Sequence, residues 1–170
     1  MNESLLTRGI ERGIALVASA LRASLIAALA IMLAALTIQV VMRYVFGRTP
    51  SWSEEVAVLM FAWATMGGLA LGVYEGFHVR LDFLVKLTPE AGRIWYERSL
   101  DGVVAAFGAY LAWSGERFLD MTSGSVSAAI GYPIEILHGF APIAGALIFL
   151  FAIRRVILGP LPEVTTELPS

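Results

Sequence analysis

The sequence predicts an all-α integral membrane protein with four transmembrane helices. Of its 170 residues 58% are hydrophobic, and the mean hydropathy of +0.74 is well above that of ordinary soluble domains. Several charge-free runs approach the ~20 residues that a helix needs to cross a bilayer. Four such helices would use about half of the chain. We therefore expect residues 1–160 to form one membrane domain and residues 161–170 to form a disordered tail.

The first predicted span covers residues 14–46. Residues 23–42 contain neither a charge nor a proline, and helical sequence continues on both sides of them. Such a helix is longer than a bilayer core is thick, so it must tilt or protrude. The apolar run extends about 20 residues beyond Arg22, which is longer than the core of a cleavable signal peptide. We expect this segment to be a retained anchor.

The second predicted span covers residues 52–75. Ser51 and Glu54 have the spacing of a capping box at its start. Small residues recur along one face of the span, which allows close helix packing in lipid. They are Ala64, Gly68, Gly72 and Gly76. The pattern fits packing on the chain's own helices and packing on a partner subunit equally well.

The third and fourth predicted spans cover residues 94–120 and 133–155. The third is the least apolar, with Asp101 and Glu116 near its two ends, and Arg98 is the expected ion-pair partner of Asp101. Pro142 is expected to kink the fourth span. The charged connection between the second and third spans has apolar residues on one helical face, which predicts an interfacial helix there.

The distribution of the twelve basic residues orients the predicted spans. The N-terminal segment, the second connection and the C-terminal segment hold nine of them, and the first and third connections hold three. Because basic residues concentrate on the cytoplasmic side, we expect both termini in the cytoplasm. Residues 39–55, which close the first span and open the second, then face outward. We call these residues the corner.

The composition excludes several classes of function. There is no cysteine, so disulfides and thiolate metal sites are excluded, and the net charge of −2 gives no basic surface for nucleic acid. The central parts of all four spans lack Asp, Glu, Lys and Arg, which argues against an autonomous ion-coupled carrier. His78 and His138 fall near span ends, where interfacial hydrogen bonding is more common than haem ligation. We expect no enzyme activity, no metal and no cofactor.

The corner combines charged and aromatic side chains beside the polar Gln39. It includes Arg43, Tyr44, Trp52, Glu54 and Glu55. The aromatic residues are typical of membrane interfaces, so the corner fits a simple lipid-facing anchor. The mixture of acids and bases fits a protein docking surface or an ion pair between subunits. Physical reasoning from the sequence leaves both interpretations open.

Several segments resemble the small membrane subunit of TRAP transporters, the DctQ type. They are QVVMRYVF at 39–46, PSWSEE at 50–55, Trp63, Gly67-Gly68 and HVRLD at 78–82, with weaker matches of IGYP at 130–133 and PIAG at 142–145. The chain departs from the family's usual pattern at residues 125–129 and after Pro133, where a tryptophan is common.

The resemblance implies a non-catalytic subunit of a sodium-driven tripartite importer of organic acids in the bacterial inner membrane. Its implied partners are a large membrane subunit that it braces, a periplasmic solute-binding protein and membrane lipids. Interface or docking candidates are Gln39, Arg43, Tyr44, Trp52, Glu54, Glu55 and Trp63, and interfacial candidates are His78, Arg80 and Asp82. A membrane anchor of an electron-transfer complex is the main alternative, and a small self-assembling carrier or channel is a third.

Overall fold

A computed structural model describes residues 2–76 and 90–159. These residues form five helices and contain no β-strand, which confirms the all-α class for this part of the chain. The helices are α1 (Asn2–Phe46), α2 (Ser51–Glu75), α3 (Glu90–Thr122), α4 (Glu135–His138) and α5 (Phe140–Leu158). The predicted interfacial helix and the predicted disordered tail lie outside the described residues.

The four long helices lie side by side in the order α1, α2, α5, α3. α1 packs on α2, α2 packs on α5, and α5 packs on α3. Within the described residues α1 and α3 make no substantial contact, so they form the two edges of an open row. One end of this row carries the corner, and we call the other the Arg155 end.

Three helical segments are long and apolar enough to cross a membrane. They cover Arg8–Phe46, Ser51–Glu75 and Glu135–Leu158. α3 has 33 residues, a sufficient length, but it is not apolar enough to belong to this group. Its weaker apolar character agrees with the sequence, where residues 102–115 are its longest charge-free run.

α1 packs through a regular seam of buried and half-buried side chains. The seam positions alternate in steps of four and three residues, a 3.5-residue repeat typical of helices that pack side by side over a long distance. They are Ile14, Ala18, Leu21, Leu25, Ala28, Met32, Ala35, Gln39 and Met42. Because alanine occurs at several of them, α1 and α2 approach closely.

Trp63 joins three helices at the middle of α2. Its indole N–H donates to the Ser24 hydroxyl of α1 at 3.2 Å, and its ring centroid lies 5.1 Å from that of Phe140 in α5. An indole has one donor and a large apolar surface, so one residue provides both a polar and an apolar contact. Trp63, one of the docking candidates, thus has contacts inside the chain.

α3 and α5 pack antiparallel through glycine. A Cβ atom at Gly108 would lie 2.6 Å from the backbone nitrogen of Phe149, and one at Gly115 would lie 2.8 Å from the nitrogen of Pro142. A Cβ atom at Gly145 of α5 would likewise collide with the backbone of Ala112 in α3. Without Cβ atoms the two backbones touch, which is how helices pack tightly in lipid.

Two local predictions concern the cap of α2 and the helix around Pro142. The capping box is wrong: α2 begins without a side-chain cap, and Ser53 rather than Ser51 donates its hydroxyl to the Pro50 carbonyl, at 2.7 Å. Near Pro142 the helix is interrupted at Gly139, three residues earlier, and a bend of the helix axis there stays a prediction. Proline lacks the N–H that would bond to the preceding turn, and its ring crowds that turn's carbonyl.

Ion pairs connect the helices at the Arg155 end. Arg22 of α1 pairs with Glu75 of α2, and Arg154 of α5 lies 3.3 Å from Glu11 of α1. The buried Asp101 of α3 accepts from Arg155 of α5 at 3.0 Å. The expected pair of Asp101 with Arg98 is therefore wrong, since the close α3–α5 packing brings Arg155 to Asp101.

Candidate functional site

Glu55, in the second turn of α2, holds the connection between α3 and α4. One carboxylate oxygen accepts from the Ala129 N–H at 2.7 Å, and the other accepts from the Ile130 N–H at 2.9 Å and the Ser127 hydroxyl at 2.8 Å. Hydrogen bonds to a charged acceptor are stronger than neutral ones. Glu55 therefore fixes residues 123–134, which we call the loop, against the corner.

The loop has its own hydrogen-bonded turn. Ser127 and Tyr132 are paired across it, with the Ser127 N–H donating to the Tyr132 carbonyl at 2.9 Å. The Ser127 hydroxyl oxygen also accepts from the N–H groups of Gly131 and Tyr132 at 3.0 and 3.2 Å. Gly131 has φ of 74°, a conformation that glycine adopts without steric cost. The loop is thus a defined structure rather than an open connection.

Glu135 fixes the other side of the loop. One of its carboxylate oxygens accepts from the Gly124 N–H at 2.6 Å, while its second oxygen is buried without a partner among the described residues. Nearby, Thr122 and the Nδ1 atom of His138 are 2.8 Å apart. Burial raises the pKa of the Tyr132 hydroxyl, and the negative charge of Glu55 raises this pKa further. Two carboxylates from different helices thus position one loop.

The other corner candidates lie on the surface. Tyr44 is 80% exposed and Trp52 is 43% exposed, and Arg43 and Glu54 are exposed as well. The Arg43 guanidinium lies 6.0 Å from the ring centroid of Tyr44. Among the described residues, Arg43 forms no ion pair within the chain, so its pairing with another subunit stays a prediction. These side chains are available for a partner or for lipid headgroups.

Gln39 is half-buried in the α1 seam. Its side-chain carbonyl oxygen is buried without a hydrogen-bond partner among the described residues. A buried acceptor without a hydrogen-bond partner lowers the stability of the fold. Packing in the seam alone therefore does not explain why a glutamine occupies position 39.

The small residues on this face of α2 do not all contact the same neighbour. Gly67, next to the predicted Gly68, meets α1, since a Cβ atom there would lie 2.8 Å from Leu25. Gly68 has no atom of the described chain within 4 Å of such a Cβ, and Ala64 and Gly72 are half-buried. Packing of Gly68 on a partner subunit stays a prediction.

Gly76 ends α2 beneath an arginine. It has φ of 82°, and a Cβ atom there would lie 2.6 Å from a guanidinium nitrogen of Arg155. The missing side chain makes room for the Arg155 guanidinium beside the α2 terminus, where a positive charge is favoured. Gly76 therefore packs against α5 inside the chain.

Two features of the structure were not predicted from the sequence: the glycine contacts between α3 and α5, and the hydrogen bonds of Glu55 to the loop. The glycines of α3 and α5 had a readable signal, because Gly108 and Gly115 are seven residues apart and share a helix face. The Glu55–loop bonds had none, since they join residues more than 70 positions apart. His78, Arg80 and Asp82 lie outside the described residues. Within the residues that are described, no three His, Asp or Glu side chains are grouped to hold a metal ion.

A family model matches most of this fold. It is that of the tripartite ATP-independent periplasmic transporters, DctQ component, and it matches residues 32–159, from the middle of α1 to the end of α5. The chain belongs to this family. The resemblance read from the corner is confirmed, and so is the prediction that the chain is not an enzyme, because the DctQ component is a transporter subunit.

Individual relatives agree with this assignment. The chain is 27% identical over 138 residues to the sialic acid TRAP transporter small permease protein SiaQ of Vibrio cholerae, covering 77% of this chain and 79% of that protein. It is 39% identical over 57 residues to the C4-dicarboxylate TRAP transporter small permease protein DctQ of the same species. That match covers 34% of this chain and 25% of the relative.

A third relative is a much larger protein. The chain is 42% identical over 52 residues to the sialic acid TRAP transporter permease protein SiaT of Haemophilus influenzae. The match covers 31% of this chain and only 8% of that permease protein.

Proposed function

We propose that this DctQ-family chain is the non-catalytic small subunit of a sodium-driven TRAP importer of organic acids, and that it pairs with and braces the large transport subunit. The observation that carries the proposal is the family match across residues 32–159. The names of the relatives make C4-dicarboxylates and sialic acid the first substrates to test.

The fold is suited to bracing. Among the residues that the structure describes, the helices are connected at the Arg155 end by three ion pairs and at the corner end by the Glu55 bonds to the loop. The central parts of α1, α2 and α5 contain no charged residue that could couple transport to an ion gradient. An open row braced at both ends supplies a firm surface for a second membrane protein, whereas transport chemistry must lie elsewhere.

The partners follow from two observations. The segment shared with the permease protein SiaT supports a direct association with a large permease subunit. The exposed corner side chains support docking of either that subunit or a periplasmic solute-binding protein. A charge reversal, Arg43→Glu, should impair complex formation or uptake, and unimpaired complex and uptake would rule out a role of Arg43 in docking.

The membrane arrangement belongs to the same proposal. We place α3 in the inner membrane beside the three more apolar segments, with both termini in the cytoplasm. Its antiparallel packing along α5 supports this placement, because a helix in contact with a spanning helix along Gly108 and Gly115 shares its depth. The chain then crosses the membrane four times.

Reconstitution tests the function directly. The large permease and solute-binding protein of the same bacterium are combined in proteoliposomes with and without this chain, under an inward sodium gradient. We expect uptake of labelled C4-dicarboxylate or sialic acid only when the chain is present and only with sodium outside. Equal uptake without the chain, or uptake that is indifferent to sodium, would contradict the proposal.

A further inference from the structure

A groove runs between α3 and α5 on the surface of the row. Its floor is made of small or apolar residues, and two carboxylates lie on its α3 side. The residues that line it are Ala109, Ala112, Trp113, Glu116, Leu119, Asp120, Pro142 and Ala146. Glu116 and Asp120 are exposed, and neither has an ion-pair partner among the described residues.

The groove lies at the depth of the spanning helices. Gly115 touches Pro142, and Phe140 in the same turn of α5 stacks on Trp63. Trp63 is the central residue of α2, which at ~1.5 Å per residue is about 37 Å long. Glu116 therefore lies near the depth of Trp63, although it is only six residues before the end of α3, and Asp120 is one turn closer to the corner end. This depth differs from the sequence prediction, which put Glu116 near the end of its span. An exposed carboxylate at the depth of Trp63, such as that of Glu116, does not suit contact with lipid tails.

The neighbouring arginine does not neutralise these acids. The Arg117 guanidinium lies 4.7 Å from the ring centroid of Trp113, a cation–π contact on the rim of the groove. Within the described chain it forms no ion pair with Glu116 or Asp120. The groove keeps a net negative charge.

The opposite edge of the row, formed by α1, is apolar and uncharged over its central part. Along residues 23–42 of α1 the exposed side chains are aliphatic, with Thr37 the only exposed polar one. The Thr37 hydroxyl donates to the Leu33 carbonyl of its own helix at 2.7 Å. That edge suits lipid. The two edges therefore differ in what they can face at the same membrane depth.

We propose that the α3–α5 groove seats a membrane helix of the large permease subunit, whose Lys or Arg side chain pairs with Glu116 and Asp120. The alanine floor lets a helix approach closely, and a cation from the partner neutralises the carboxylates where water cannot. This inference rests on the proposed function, because it assumes that a large permease subunit is the partner.

Single-cysteine crosslinking tests the position of the partner. The chain has no cysteine, so Ala109→Cys in the groove and Ala30→Cys on the exposed α1 edge each carry one unique thiol. Each variant is co-expressed with the large permease and treated with a photoactivatable maleimide in membranes. We expect at least fivefold more permease adduct from Ala109→Cys than from Ala30→Cys. Adducts between two copies of this chain only, or adducts with lipid only, would overturn the proposal.

Neutralising the carboxylates tests the charge recognition. The double variant Glu116→Gln and Asp120→Asn should lower the permease recovered with the tagged small subunit at least tenfold, while its own unfolding temperature stays unchanged. If the variant recovers as much permease as the unaltered chain, the permease does not bind through Glu116 and Asp120. The proposed function is unaffected by that result. If the unaltered chain recovers no permease, the proposed function itself fails.

Discussion

Glu54 and Glu55 are chemically identical neighbours with different surroundings. Successive residues of a helix point about 100° apart. Glu55 therefore faces the loop and accepts three hydrogen bonds from it, whereas Glu54 faces away and is exposed. The sequence made both of them docking candidates, and only the fold separates a residue that positions the loop from one that is free to meet a partner.

Removing the Glu55 carboxylate should release the loop. Hydrogen bonds to charged groups contribute about 1.5–3 kcal/mol each, so in Glu55→Ala the amides of Ala129 and Ile130 should exchange with deuterium about tenfold faster or more. Hydrogen–deuterium exchange of the purified subunit in detergent measures this. The adjacent Glu54→Ala is the matched control and should leave both amides unchanged. Similar exchange in the two variants would show that the carboxylate does not hold the loop.

α3 is a helix whose position depends on its neighbour. Its sequence is the least apolar of the long helices, yet Gly108 and Gly115 bring it into backbone contact with α5. At the Arg155 end, Asp101 and Arg155 are 3% and 8% exposed and bond to each other. Their ion pair fixes the register of the two helices as well as their contact.

Breaking that pair should be costly. In Asp101→Asn the buried Arg155 loses its countercharge, which typically lowers the free energy of unfolding by about 3–5 kcal/mol. Glu75→Gln is the control, because the side chains of its pair with Arg22 are 31% and 56% exposed, and exposed pairs contribute only about 0–1 kcal/mol. Chemical unfolding in mixed micelles, followed by tryptophan fluorescence, compares the two. Equal losses would mean that the burial of the pair has no energetic consequence.

At the scale of the whole molecule, residues 2–76 and 90–159 form an open row with two unlike edges, not a closed bundle. α1 at one edge exposes aliphatic side chains, and α3 at the other exposes Glu116, Arg117 and Asp120. A row leaves more surface uncovered than a bundle of the same helices, so its edges must be covered by lipid or by protein. This shape fits a subunit that works within a larger membrane complex.

The crossing of α3 can be tested with conservative substitutions at its two ends. Ser99→Cys and Ser123→Cys each replace an exposed serine in a chain without cysteine. In spheroplasts, a membrane-impermeant maleimide should label Ser123→Cys at once and Ser99→Cys only after lysis. The same labelling of both variants before lysis would mean that α3 does not cross the membrane.

The sequence by itself determined the helices and the family. Long charge-free runs, ended by glycine and proline near Gly47, Pro50, Gly76 and Gly159, are local properties that require helices in lipid whatever their neighbours. The ordered residues of the corner were specific enough to indicate the DctQ type, and the family match confirms this.

Only the tertiary structure decided which distant residues meet. Glu55 holds residues over 70 positions away, and Asp101 pairs with Arg155, which is 54 positions away, rather than with the nearby Arg98. Each outcome depends on the order of helices in the row and on the rotation of each helix about its axis. The local pattern of apolar residues does not specify either quantity. The same apolar helices would form all their backbone hydrogen bonds equally well in another arrangement.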